Sequence, residues 1–131
     1  MKENIASTIQ TVFEDSNNGN MHFGEVIKRL IEVDVESYHV DYRSGKTTYF
    51  LSNGQTVDFS FDKPQNGIAK EFNGEEVRSA ICGAQQGQLM YPEFKNLSQA
   101  AGCSSYTVWI AGRHVSYYGR KGETHVEHFP N

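Results

Sequence analysis

The chain has 131 residues, of which 37% are hydrophobic and 21% charged, with a formal net charge of −4 and a pI near 5.7. That length fits one domain with a sizeable core, so neither a disulfide nor a metal is needed for folding. Residues 1–66 carry six Lys and Arg against ten Asp and Glu, and the remainder six against six, so the basic footprint that nucleic-acid binding requires is missing.

Ile5, Ile9, Val12, Phe13 and Ser16 recur at helical spacing before Asn17-Asn18-Gly19, which predicts an amphipathic helix over residues 4–17. Phe23, Val26, Ile27, Leu30 and Ile31 form a second apolar stripe, with Glu25 in its first turn where a negative charge is favoured. The period then changes to two. Tyr38, Val40 and Tyr42 share one strand face and His39 and Asp41 the other. Turns at Ser44-Gly45 and Asn53-Gly54 lead into strands at 47–51 and 57–61. Residues 62–74, with Pro64, Asn66, Gly67, Asn73 and Gly74, read as a connection.

The same program then repeats. Val77, Ala80, Ile81 and Ala84 precede Gly87, and Tyr91, Phe94, Leu97 and Ala101 follow as a second stripe, with Pro92 in its first turn and Gly102 as its C-cap. Strands follow at 106–110, 115–118 and 124–129, separated by turns at Ala111-Gly112 and Lys121-Gly122. Residues 19–61 align without a gap on 87–129: Gly19 with Gly87, Ser37-Tyr38 with Ser105-Tyr106, Tyr49 with Tyr117, Gly54 with Gly122. The expected fold is therefore α+β, a tandem duplication of a helix-helix-three-stranded antiparallel meander sharing one core. One domain over 1–131 holds unit one (about 4–61), the connection, and unit two (about 75–129). A lone meander is marginal, so the two either join edge to edge or pack face to face.

Where the copies differ, function is the candidate cause. Val57, Phe59 and Phe61 make an apolar stripe on the last strand of unit one, but their counterparts are His125, Glu127 and Phe129. Burying an imidazole and a carboxylate costs several kcal/mol unless they are paired. A one-residue register slip, which swaps the faces of a strand, is the leading explanation of the exchange; closure of the C-terminus comes next and a functional site last. Imidazole and carboxylate are ordinary zinc or iron ligands, so His39, Asp41, His125 and Glu127 form a candidate metal set, whereas His125 and His128 point to opposite faces.

Aromatic side chains on the strands suggest a ligand or partner surface, since Tyr and Trp combine apolar area with a polar tip. The candidates are Trp109, Tyr117 and Tyr118 with Arg113, Glu123 and His128, against the simpler reading of cross-strand pairs covering the sheet. Cys82 and Cys103 occupy non-equivalent places and read as free buried thiols. There is no G-x-S-x-G elbow, P-loop or G-x-G-x-x-G, so no catalytic residue and no cofactor is indicated. No stretch approaches the roughly 20 apolar residues of a membrane span, and the opening MKENIASTIQ lacks the apolar core of a secretion signal. A cytoplasmic protein, with no membrane and no nucleic acid among its partners, is the expectation.

Residues 101–130, and above all Gly122-Glu123-Thr124-His125-Val126-Glu127-His128-Phe129-Pro130, resemble the C-terminal signature of the YbcV/YcgX-like family of small bacterial proteins of unknown function, often labelled "phage envelope protein". The stretch from Phe23 through Tyr38-His39 to Tyr49-Phe50-Leu51 and Asn53-Gly54 is similar to that family as well. The resemblance implies no established activity or substrate, and it implies that Glu123, His125, Glu127 and His128 matter for fold or function. The leading expectation is a soluble, non-enzymatic binding or protein-interaction module of phage or mobile-element origin, acting as a homo-oligomer or with a protein partner. The alternatives are a metal-dependent enzyme using the His/carboxylate set and a structural phage or stress-related protein.

Overall fold

α1 (Lys2–Asn17) and α2 (Phe23–Glu32) lead into β1 (Val35–Asp41), β2 (Lys46–Leu51) and β3 (Thr56–Ser60). The same order recurs as α3 (Gly74–Gln85), α4 (Tyr91–Ala100), β4 (Cys103–Trp109), β5 (His114–Gly119) and β6 (Thr124–His128). This computed structural model describes residues 2–63 and 67–129; Pro64 and Asn66 of the expected connection, and Pro130, lie outside the described residues. Helix boundaries follow local chemistry. The Asn73 side chain accepts from the Glu76 amide at 3.1 Å to cap α3, and the Met90 amide donates to Glu93 Oε1 at 3.1 Å at the start of α4, whose first turn holds Pro92.

The six strands form one antiparallel sheet in the order β3-β2-β1-β4-β5-β6. The two meanders therefore join edge to edge, through β1 and β4, with Tyr38 opposite Val108 and Val40 opposite Tyr106. All four helices lie on one face. Phe13 of α1 stacks on Phe59 at 5.1 Å, Phe94 of α4 meets Tyr106 edge-on at 6.2 Å, and Val26 of α2 and Ile81 of α3 reach the same space as Tyr38. One hydrophobic cluster spans both halves. Sheet and helices thus make two layers, with the opposite sheet face uncovered by any helix among the described residues.

Backbone conformation repeats between the halves at a spacing of 68 residues. Positive φ occurs at Gly19 and Gly87, Gly54 and Gly122, Asp34 and Gly102, and Gly45 and Arg113. Both central strands carry a bulge at the matching place, between Val35 and Ser37 and between Cys103 and Ser105. At Gly102 the glycine is obligatory on a second count: a Cβ there would collide with the Glu71 carbonyl oxygen, because the connection passes directly over it.

The register of β6 corrects the slip reading. Tyr117 pairs with His125 and Val115 with Glu127, as Tyr49 pairs with Val57 and Thr47 with Phe59. The strand is not shifted, and the imidazole and carboxylate face the helices.

Candidate functional site

The inner face of the sheet carries four tyrosines in two cross-strand pairs, Tyr38 with Tyr49 (ring centroids 5.3 Å apart) and Tyr106 with Tyr117 (5.4 Å). Tyr91, at the start of α4, enters from above and receives a hydrogen bond from the Tyr106 hydroxyl at 2.6 Å. Tyr42, at the end of β1, is fully buried and shares a 2.9 Å hydrogen bond with Ser98 of α4. Between these rings and the helices lies a cavity of about 70 Å³, reaching Ser16 and Asn17 at the end of α1, Phe23 of α2, Ile81 of α3 and Glu127 of β6. A water needs at least roughly 10–15 Å³ of such space, so the cavity takes several waters or one compact organic group.

A local exchange explains why there is room here. Unit one fills the space above β3 by stacking Phe13 on Phe59. The corresponding residues in unit two, Ile81 and Glu127, both border the cavity and leave the space unfilled.

The hydroxyls of Tyr38, Tyr49 and Tyr117 have no hydrogen-bond partner among the described residues, yet none is a sealed-off buried polar atom. All three residues line the cavity, where a bound molecule or water would complete their hydroxyls. Burial raises the phenol pKa of Tyr38, Tyr42, Tyr49, Tyr91, Tyr106 and Tyr117, so these groups are neutral hydrogen-bonding hydroxyls, not phenolates.

At the edge of the cavity His125 Nε2 lies 3.0 Å from Glu127 Oε1, and each side chain keeps 25% of its surface exposed. The imidazole packs 6.4 Å from the Tyr117 ring and also borders a shallow surface groove with Phe72 and Arg78. Their mutual hydrogen bond, between positions i and i+2 on the same face of β6, meets the cost of placing these polar groups on an inward face.

The other residues singled out from the sequence divide between the two faces. Tyr117, expected on a contact surface with Trp109, is 5% exposed and lines the cavity, because alternation along β5 sends Tyr117 and Tyr118 to opposite sides. Trp109, His114 and His128 form one cross-strand row on the bare face, with Trp109 Nε1 donating to Ser116 Oγ at 3.3 Å. Tyr118 lies on that face as well. Arg113 sits in the β4-β5 turn with its guanidinium 5.8 Å from the Phe129 ring, and Glu123 in the β5-β6 turn accepts from the Lys121 amide at 3.0 Å.

The four residues of the candidate metal set do not meet. His39 is on the bare face of β1, with Nδ1 2.8 Å from Thr107 Oγ1, and Asp41 accepts from the amides of Arg43 and Ser44 at its turn. His125 and Glu127 are on the helix-covered face of the far edge strand. Among the described residues no group of three or more His, Cys, Asp and Glu is placed to hold a metal ion. Cys103 is buried, which pushes its thiol up to about 12, while Cys82 is half-buried in α3; neither forms a disulfide.

Tyr91 was invisible as a site residue in the sequence, where it reads as part of a helical stripe. The available signal was the repetition of Tyr38 and Tyr49 as Tyr106 and Tyr117, which predicts a tyrosine-rich inner face once edge-to-edge pairing is known.

No helix among the described residues is long and apolar enough to cross a membrane. No curated protein is significantly similar to the chain. The family described as "Protein of unknown function (DUF1398)" matches residues 10–127, nearly the whole length, and the chain belongs to it.

Proposed function

We propose that this protein is a small-molecule-binding module whose ligand sits between the sheet and the helices, among the cavity-facing tyrosines. The observation that carries this reading is the trio of unpartnered hydroxyls on Tyr38, Tyr49 and Tyr117, opening onto a space that the Phe13–Phe59 stack closes in the other half. A mostly apolar cavity with a few convergent polar groups is the usual form of a ligand site. The cluster supplies hydrogen bonds and ring faces without an activated nucleophile, which favours binding over catalysis. An NMR fragment screen on the full chain tests it. Hits are expected to shift the ring resonances of Tyr38, Tyr49 and Tyr117 together, and a screen in which no compound moves them at millimolar concentration refutes the reading.

A second reading concerns the bare sheet face, where Phe50, Trp109 and Val126 are 37%, 39% and 46% exposed. Together with Tyr118, His128, Arg113 and Glu123 at its borders, this face would receive a protein partner or a second copy. Light scattering across a concentration series tests the second-copy form. A strict monomer whose mass is unaltered by Trp109→Ala counts against it.

The halves are taken as copies of one unit, a view supported by their shared element order and shared left-handed positions. The likeness of residues 101–130 to YbcV/YcgX-like proteins supports a phage or mobile-element origin for the module.

A further inference from the structure

Resting on the cavity reading, we propose that the ligand is a small organic cation, an amine or quaternary ammonium group held against tyrosine faces with Glu127 as its counter-ion. Three features of the cavity point the same way. Its walls are aromatic: Phe23, Tyr38, Tyr49, Tyr91, Tyr117 and Phe129 all border it. The faces of such rings carry the negative part of the aromatic quadrupole and attract cations, most strongly when water is excluded.

Charge is the second feature. Among the described residues, no lysine, arginine or histidine lines the cavity, and Glu127 is the one side chain there that is charged at neutral pH. An anionic ligand would meet the Glu127 carboxylate with no lysine or arginine in the cavity lining to offset it, whereas a cation complements it. Glu127 Oε1 is held by His125 Nε2 at 3.0 Å, and Oε2 has no partner among the described residues. The histidine orients the carboxylate and leaves its second oxygen free for the ligand.

The third feature is the tyrosine hydroxyls. As neutral phenols, Tyr38, Tyr49 and Tyr117 offer lone pairs that accept from an N–H or face the polarised methyl groups of an ammonium. The fold already uses this chemistry on the outer side of the same cluster. Lys95 Nζ sits 5.1 Å from the centroid of Tyr91 and 4.5 Å from that of Phe61, anchored on Asn17 Oδ1 at 2.8 Å.

Tetramethylammonium and choline, titrated into the full chain and followed by NMR and calorimetry, test the assignment against their neutral isostere 3,3-dimethylbutan-1-ol and the anion pivalate. The cations are expected to saturate with shifts at the Tyr38, Tyr49 and Tyr117 rings, and the neutral isostere to bind at least about tenfold more weakly, the scale of a desolvated cation–π contact. Glu127→Gln should weaken the cations and leave the neutral compound unchanged; the comparison of compounds on the natural sequence stands alone if that variant misfolds. Equal binding of the neutral isostere, preferred binding of pivalate, or an unaltered cation affinity in Glu127→Gln overturns the cation assignment and leaves the cavity reading intact. If the cations produce no shift while fragment hits do, the assignment is likewise wrong; if nothing moves those rings, both readings fall.

Discussion

His125 Nε2 and Glu127 Oε1 are 3.0 Å apart on the helix-covered face of β6, at the positions that Val57 and Phe59 hold on β3. A polar pair thus stands in the same register as an apolar one in the other half of the sheet. Replacing a partly buried polar pair with well-packed apolar residues is often neutral or stabilising. The double substitution His125→Val with Glu127→Phe is therefore expected to match or exceed the natural chain in urea stability, by up to about 2 kcal/mol, while abolishing shifts of the cavity tyrosines by fragment hits. A large loss of stability would mean that the pair holds the C-terminal strand in place.

Equivalent backbone positions differ in tolerance. Asp34 and Gly102 both have positive φ, 64° and 94°, but only Gly102 lies under the connection, against the Glu71 carbonyl. Gly102→Ala should cost more than about 3 kcal/mol, combining left-handed strain with a backbone collision. Asp34→Gly should change stability by less than about 1 kcal/mol, since relief of strain is offset by added freedom in the unfolded chain. Chemical denaturation of the two variants side by side checks the contrast.

The alkaline limit follows from the tyrosine cluster. Burial raises the pKa of six tyrosines and pushes the Cys103 thiol up to about 12. Groups raised on folding keep their protons in the native state while the unfolded chain loses them, so their contribution is complete below the unfolded values and drains away as pH rises above roughly 9. Absorbance at the tyrosinate band should thus rise cooperatively, coincident with loss of circular dichroism. A gradual rise of all the tyrosines in the folded protein would contradict their burial.

His39 sets an acid dependence of opposite sign. Burial lowers its pKa, with Asp41 partly opposing the shift. A lowered histidine is neutral when folded and charges on unfolding, so stability is fully present above about 6.5 and declines as pH falls below it. The ring is only half-buried, and solvent screening keeps the decline below that of one full proton. His39→Gln should flatten the stability profile between pH 7 and 5; an unchanged slope would assign the acid sensitivity elsewhere.

Element type and order were readable from residue spacing because helices and strands impose periods of 3.6 and two on local sequence. Ile9, Val12 and Phe13 marked α1, the alternation from Tyr38 to Tyr42 marked β1, and Asn53-Gly54 marked the β2-β3 hairpin. These signals act over a few residues, and the tertiary structure did not override them.

The site required contacts between distant parts of the chain. Pairing of β1 with β4 brings Tyr38 beside Val108 and so merges the inner faces of two meanders, a choice that no local pattern encodes because edge-to-edge and face-to-face packing bury the same stripes. The same pairing separated His39 and Asp41 from His125 and Glu127 by putting them on opposite faces. Alternation along β4 and β5 set Tyr117 on the face opposite Trp109, and the packing of α4 over the sheet brought Tyr91 to the same cavity. Residue identity determined what each segment becomes; which segments meet was decided only when strands nearly 70 residues apart paired in a particular register.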